Sequence, residues 1–193
     1  KTKAAVAAFQ KARGLVADGI VGPQTWKALR ASPAPDVPPK SDFDRIMEWV
    51  FEDEGGMTIS PDEPGGASNL GVSMETYAKY LGRSVTQGEL AALKKSQASE
   101  IYKRLYWTDE IAKLPSGLNY AAFDLGVNSG VGRVADFVER ARDYSSDLKA
   151  QIDSLLSQRL AYMRQSKNWN KYGKGWTNRI ERVRTRAKSM VKP

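Results

Sequence analysis

The chain contains no histidine and no cysteine in its 193 residues, and those two absences exclude most hydrolytic chemistries. Zinc amidases draw their ligands from His or Cys, cysteine peptidases need a thiolate, and serine hydrolases of the triad type need an imidazole base. A hydrolase built from this composition works with carboxylates, and no metal or cofactor is expected. Lacking cysteine, the chain forms no disulfide, so packing alone must stabilise it, and the absence says little about compartment. No run of about 18 apolar residues exists to span a membrane. No signal peptide stands in these residues, and the first of them is Lys1, not Met, which leaves room for sequence upstream.

Charge is abundant but unevenly placed. Of the formal +8, residues 1–30 hold six Lys or Arg against Asp18, and residues 159–193 hold eleven against Glu181, so the stretch between is net acidic. Basic ends around an acidic middle suit a polyanionic partner such as nucleic acid or the bacterial envelope. They equally suit a solvated helix face, with Arg179, Arg182 and Arg186 flanking the apolar stripe of Trp176, Ile180, Val183 and Ala187.

Residues 31–41, ASPAPDVPPKS, place four prolines between Pro33 and Pro39 and read as an extended spacer. About thirty residues precede it, too few to be stable by ordinary counting. Beyond it the chain reads as helical. Ser73 caps a helix running to about Leu81 and closed by Gly82, and Thr86 with Glu89 forms a capping box for the next. Ile101, Tyr102 and Leu105 mark a helix toward Trp107, Pro115 opens one through Leu118, Ala121, Ala122 and Leu125, and Val131, Val134, Ala135 and Val138 mark another. A long helix covers about 147–165, and the last begins near Trp176. Only 57–72 is irregular enough for a small hairpin or structured loop. The predicted class is mainly α.

Glu54 stands out within this layout. Phe43, Ile46, Met47, Val50 and Phe51 form the stripe of an amphipathic helix capped by Ser41 or Asp42. At about 100° per residue Glu54 falls within that stripe, whereas Glu48 and Glu52 face solvent. Desolvation, the negative end of the helix dipole and the charges of Glu52 and Asp53 all favour its protonated form. A carboxylic acid protonated near neutral pH is what protonates a leaving glycosidic oxygen. Spacing alone also accommodates a plain helix end, with Gly55 as a left-handed C-cap and Glu54 in water.

The order of motifs adds context. Residues 5–29, AVAAFQKARGLVADGIVGPQTWKAL, resemble the peptidoglycan-binding module of wall hydrolases. Asp18-Gly19 suits its tight turn and Gly22-Pro23 its helix start. That module usually has one helix more at its beginning, so residues 1–30 read either as truncated or as completed by a helix packing in from elsewhere. EGG at 54–56, DEPGGASNLGVS at 62–73 and IYKRLYW at 101–107 resemble the N-acetylmuramidases of glycoside hydrolase family 108. AAFDLGVNSGVGRV at 121–134 and YGKGWTNRIERVRTRA at 172–187 resemble the helical peptidoglycan-binding half that completes those enzymes, about 115–193. The resemblance implies a lysozyme-like domain over 42–193, with a small hairpin or loop, behind the wall-binding module and the spacer.

It further implies that Glu54 is the general acid acting on the β-1,4 bond after N-acetylmuramic acid. Gly65, Gly66, Ser68, Asn69 and Gly71 match the family's Gly-Gly-x-Thr-Asn-x-Gly loop, with Ser68 for Thr, whose hydroxyl still positions a water or a sugar group. Asp62 is kept, while Ser60 and Glu63 stand where the family often has Asp. A retaining enzyme needs a nucleophile about 5 Å from the acid and an inverting one a base about 6.5–9.5 Å away. Asp62 and Glu63 are the candidates, and both are equally at home as turn residues bonding their own backbone. Asp124 and Asn128, four apart on one helix, face either a cleft or an internal network. Asn69, Asn128, Asp124, Tyr106 and Trp107 are the binding candidates, with Tyr120 and Trp176 as further rings that could stack on a sugar, although aromatics at helical spacing are more often core.

The expected protein is a monomeric muramidase of the phage endolysin type, with bacterial peptidoglycan as its partner. It would act on the wall from the periplasmic side, and its basic last helix would contact the anionic envelope. Three readings compete. A lytic transglycosylase would use the same Glu54, a wall-binding or virion protein would bind without cleaving, and a nucleic-acid binder would use the basic C-terminal helix with steep salt dependence. The wall-binding motif argues against the last.

Overall fold

In the computed structural model, residues 2–31, 40–53, 57–59 and 66–192 are described. Most of the expected spacer lies outside them, as do Glu54 and Asp62. The chain divides into two compact units, Lys1–Pro39 and Lys40–Pro193.

In the first unit, helix α1 (Thr2–Ala12) leads through a loop to α2 (Pro23–Ala31), which opens on proline, whose missing N–H costs nothing there. The loop is held by one side chain. Gln10, 2% exposed, donates through Nε2 to Asp18 Oδ1 at 2.8 Å, the Ile20 carbonyl at 2.8 Å and Thr25 Oγ1 at 3.1 Å. Its Oε1 accepts from the Gly19 amide at 2.8 Å. Gly19 has φ 73°, and a Cβ there would meet Lys3 at 2.6 Å, so both the turn and the close approach require glycine. A polar hub thus replaces the apolar core that so few residues cannot build. Val16, Ile20 and Trp26 stay exposed.

The second unit is mainly α. Helix α3 (Asp42–Asp53) is followed by strands β1 (Thr58–Ile59), β2 (Ala67–Asn69) and β3 (Val72–Ser73), then by α4 (Met74–Leu81), α5 (Gln87–Ala91), α6 (Lys95–Tyr106) and α7 (Asp109–Ala112). After these come α8 (Leu118–Ser129), a short 3-10 turn at Val131–Arg133, α9 (Val134–Tyr144), α10 (Leu148–Met163) and α11 (Trp169–Met190). The strands form one antiparallel sheet in chain order. Several boundaries follow local capping. Ser73 accepts from the Thr76 amide, Gly82 closes α4 in the left-handed region, and the Thr86–Glu89 capping box is complete.

Helix α8 is the centre. Every residue from Leu118 to Gly126 is buried, as expected for a helix that others enclose on all sides. Around it pack α3, α6, α7, α9, α10 and α11. Its start differs from expectation. Gly117, at φ 89°, interrupts the helix that Pro115 was expected to open, and a Cβ at that position would stand 2.3 Å from the Ala187 carbonyl of α11. The last helix also differs, beginning at Trp169 instead of near Trp176. Two glycines in KYGKGW disfavour a helix locally, but the Trp169 ring lies against Gly173, where a Cβ would be 2.7 Å away. Burial of that ring outweighs the propensity. Helix α7, capped by Thr108, was not anticipated.

Candidate active site

Helix α3 precedes the candidate acid Glu54 in the chain and is anchored along its length. Phe43, Ile46, Met47 and Val50 are buried, as the stripe required. At its start, Ser41 Oγ accepts from the Asp44 amide at 3.2 Å. The Asp42 carboxylate accepts from Ser116 Oγ at 2.6 Å and from Asn119 Nδ2 at 2.7 Å, tying α3 to the approach of α8. Phe43 packs on Trp107 and Phe123, with ring centroids 5.3 and 6.1 Å away.

The other end is held by arginines of α11. Arg186 donates to Asp53 Oδ2 at 2.7 Å, Glu52 Oε2 at 3.2 Å and the Trp49 carbonyl at 3.5 Å. Its guanidinium lies 5.5 Å from the centroid of the Trp49 ring. Arg182 Nε stands 3.4 Å from Asp53 Oδ1. Behind them Trp49 packs on Tyr120 at 5.3 Å, and the Tyr120 hydroxyl is hydrogen-bonded to Arg186. Burial, with the charge of Asp124, pushes that phenol up to about 12. The expectation that Glu52 and Asp53 would load the helix end with negative charge needs correction. Both are paired with guanidiniums, which also oppose the negative end of the helix dipole.

The small sheet follows. In β2 the pleat turns Ala67 and Asn69 inward, leaving Ser68 half-buried on the opposite side, paired with Thr58 and Ser73. Leu70 and Gly71, at φ 52° and 74°, form the two-residue turn to β3, with the positive φ values that such hairpins demand. Leu70 tolerates this conformation while packed against the core. Asn69 is 7% exposed and donates to the Leu90 and Ala91 carbonyls at 2.9 and 3.2 Å. Its amide therefore ties the sheet to the end of α5.

The remaining candidates separate. Asp124, expected at a cleft, is 3% exposed and paired with the fully buried Arg159 and with Arg179, whose Nη2 is at 2.9 Å. Burial opposes its ionisation, but the two guanidiniums prevail and hold the carboxyl below the ordinary range. Asn128 is exposed and donates to the Asp124 carbonyl at 2.9 Å. It lines a hollow of about 570 Å³ with Ser129, Tyr162, Gln165, Ser166 and Trp176. Trp107 packs at the first turn of α3, about 15 Å along the axis from Asp53, and Tyr106 packs on Tyr102 at 5.9 Å. Both serve the core and its margin. Of these four, Trp107 lies by the opposite end of α3, while the charge of Asp124 acts on the Tyr120 phenol behind Trp49.

Of the residues the structure gathers at the last turn of α3, Trp49, Tyr120, Arg182 and Arg186, Tyr120 was weighed in the sequence, as an aromatic that could stack on a sugar ring. The two arginines showed there only as the basic spacing of the last helix, read as a flank for solvent or polyanions, and Trp49 was not a candidate. Among the described residues, no group of three or more carboxylates could hold a metal ion, and no helix is long and apolar enough to cross a membrane.

The glycosyl hydrolase 108 family profile matches residues 47–130, and that of a peptidoglycan binding domain matches residues 1–29. The chain is similar to the solved structure of SagA from Brucella abortus at 32% identity and a TM-score of 0.70, over 78% of this chain and 96% of that one. No curated protein matches. The mainly α, lysozyme-like architecture expected from the sequence is the one observed.

Proposed function

The chain belongs to the glycosyl hydrolase 108 family, and on that premise we propose that it cleaves the β-1,4 bond between N-acetylmuramic acid and N-acetylglucosamine with Glu54 as general acid. That it is a glycoside hydrolase acting on peptidoglycan follows from the family and from the binding module at residues 1–29. The observation that carries the finer reading is the build of α3. A buried apolar stripe, a start tied to α8 and a last described turn tied to α11 make a rigid arm up to Asp53, the residue before Glu54 in the chain. Rigid presentation of the acid is what proton transfer to a glycosidic oxygen requires.

Glu54 donates its proton to the leaving oxygen as the bond to C1 of N-acetylmuramic acid breaks. Asp62 is the proposed partner, stabilising the positive charge that develops on the sugar or activating a water. Ser68, on the strand after that loop, is the proposed hydroxyl that positions the water or a sugar group, and Asn128 a proposed outer contact. A wall-binding unit ahead of a catalytic unit also supports a phage-type endolysin, by analogy of arrangement.

Mass spectrometry of digested peptidoglycan tests the reading. Reducing N-acetylmuramic ends, lost in E54Q, are the expected result. Anhydro ends would move the enzyme to the lytic transglycosylases, and an active E54Q would remove Glu54 from its role.

A further inference from the structure

Helix α11 lies wholly beyond residues 47–130, the stretch that matches the glycosyl hydrolase profile. Even so, its Arg186 makes a dense set of contacts with the last turn of α3. The guanidinium holds the Asp53 carboxylate, the Glu52 carboxylate, the Trp49 carbonyl and the face of the Trp49 ring together, with the Tyr120 hydroxyl beside it.

Surface ion pairs ordinarily contribute little, because both side chains lose freedom and water screens the charges. Arg186 is a different case. Its side chain is only 21% exposed, it engages two acids at once, and its flat face rests on an indole that is itself packed on buried Tyr120. A planar fork with five donors makes such a set of contacts; a lysine ammonium, with one point of charge, does not. The last turn of a helix is also where backbone carbonyls lack partners and fraying begins. Here the guanidinium takes a carbonyl and the side chain of the final residue in that turn.

We propose that Arg186 is a positioning residue for catalysis: from outside the matched region, it fixes the turn of α3 at Trp49–Asp53, the last before Glu54 in the chain. This rests on the reading of Glu54 as general acid. Arg182, on the same face one turn earlier and at 3.4 Å from Asp53, supports it from the side. The C-terminal helical half therefore completes the active site mechanically and is not merely an appended wall-binding surface.

The test uses the full chain with purified, soluble peptidoglycan glycan strands, reading release of reducing ends, with folding of every variant checked by circular dichroism at the assay temperature. R186M should lower kcat by about 10- to 100-fold, the effect of ångström-scale misplacement of a reacting group, with KM unchanged within about twofold. R186K should recover part of kcat, because it keeps the charge and loses the fork. R140M, which removes only a surface pair with Asp136, should behave as wild type. E54Q is assayed beside them. An inactive E54Q with R186M at wild-type kcat overturns the positioning role alone. R186M that raises KM and leaves kcat intact, or whose loss matches its unfolded fraction, does the same. An active E54Q overturns the Glu54 reading and the positioning role with it.

Discussion

Replacing Asp124 by Asn removes one negative charge from between two guanidiniums while keeping the side chain's shape. Arg159 is 0% exposed and Asp124 3%, so the substitution leaves a cation in the interior beside a neutral amide. Removing one partner of a buried pair costs about 3–5 kcal/mol, a large part of the roughly 5–15 kcal/mol that a domain has. At about 2–4 °C per kcal/mol for a unit of this size, Tm should fall by about 6–20 °C. Arg179, a quarter exposed, regains water more easily than Arg159, which places the expectation in the lower half of that range. Removing both buried charges with D124L/R159M should recover most of the loss, because the uncompensated cation is then gone. The pH dependence has a definite sign. Burial resists ionisation of Asp124, yet the two arginines depress its folded pKa. Its contribution is therefore complete above the ordinary carboxylate value of about 3.9 and is lost as pH falls through the lower folded value. Wild type and D124N should converge on acidification. Melting followed by circular dichroism at several pH values reads all three outcomes. A D124N that melts within about 2 °C of wild type, or that weakens substrate binding at unchanged Tm, would refute the buried-pair account.

Three further outcomes follow from single contacts. N69A removes the side-chain bonds to the Leu90 and Ala91 carbonyls, of which Leu90 keeps the Leu93 amide, and should cost about 1–3 kcal/mol in denaturant unfolding; unchanged stability would mean that the amide does not join sheet to helix. G117A forces a Cβ to within 2.3 Å of the Ala187 carbonyl at a positive φ, and should lower Tm more than G132A, where nothing lies within 4 Å; equal effects would contradict the close approach of α8 and α11. Glu89 is held at about 2 by Arg83, with help from Thr86. Its folded pKa lies below the unfolded one, so its support for α5 is present above the ordinary value of 4.5 and lost as pH falls toward about 2. NMR titration of its carboxyl should show that low midpoint, and a midpoint near 4.5 would show that the Arg83 pair does not form.

Much of the fold was legible because it is decided within a turn or two of chain. Ser73, Gly82 and the Thr86–Glu89 box end or begin their helices through groups three or four residues away. The stripe of α3 is likewise written in its own spacing. Misreadings occurred at glycines, where packing overrules local preference. Trp169 lies over Gly173 and carries α11 across two glycines, and Gly117, pressed on the Ala187 carbonyl of a distant helix, delays the start of α8. The candidate site divides in the same way. Glu54, Asp62 and Ser68 were marked by motif, whereas Asp124 and Asn69 carried the right chemistry for a site but are held in internal contacts.

By itself the sequence determined the available chemistry, since without histidine or cysteine only carboxylates remain. It also determined the order of modules and the helix that leads to Glu54. Tertiary structure alone decided the fate of arginines in the basic C-terminal run, read in the sequence as a face either for solvent or for anionic surfaces. Arg179 turns to Asp124 across 55 positions, and Arg186 to Asp53 across 133. Spacing along a helix says which side a charge occupies, but only the packing of α3, α8 and α11 brings an acid to meet it. A charge pair forms where two elements are held a few ångströms apart, because attraction through water weakens within about one Debye length.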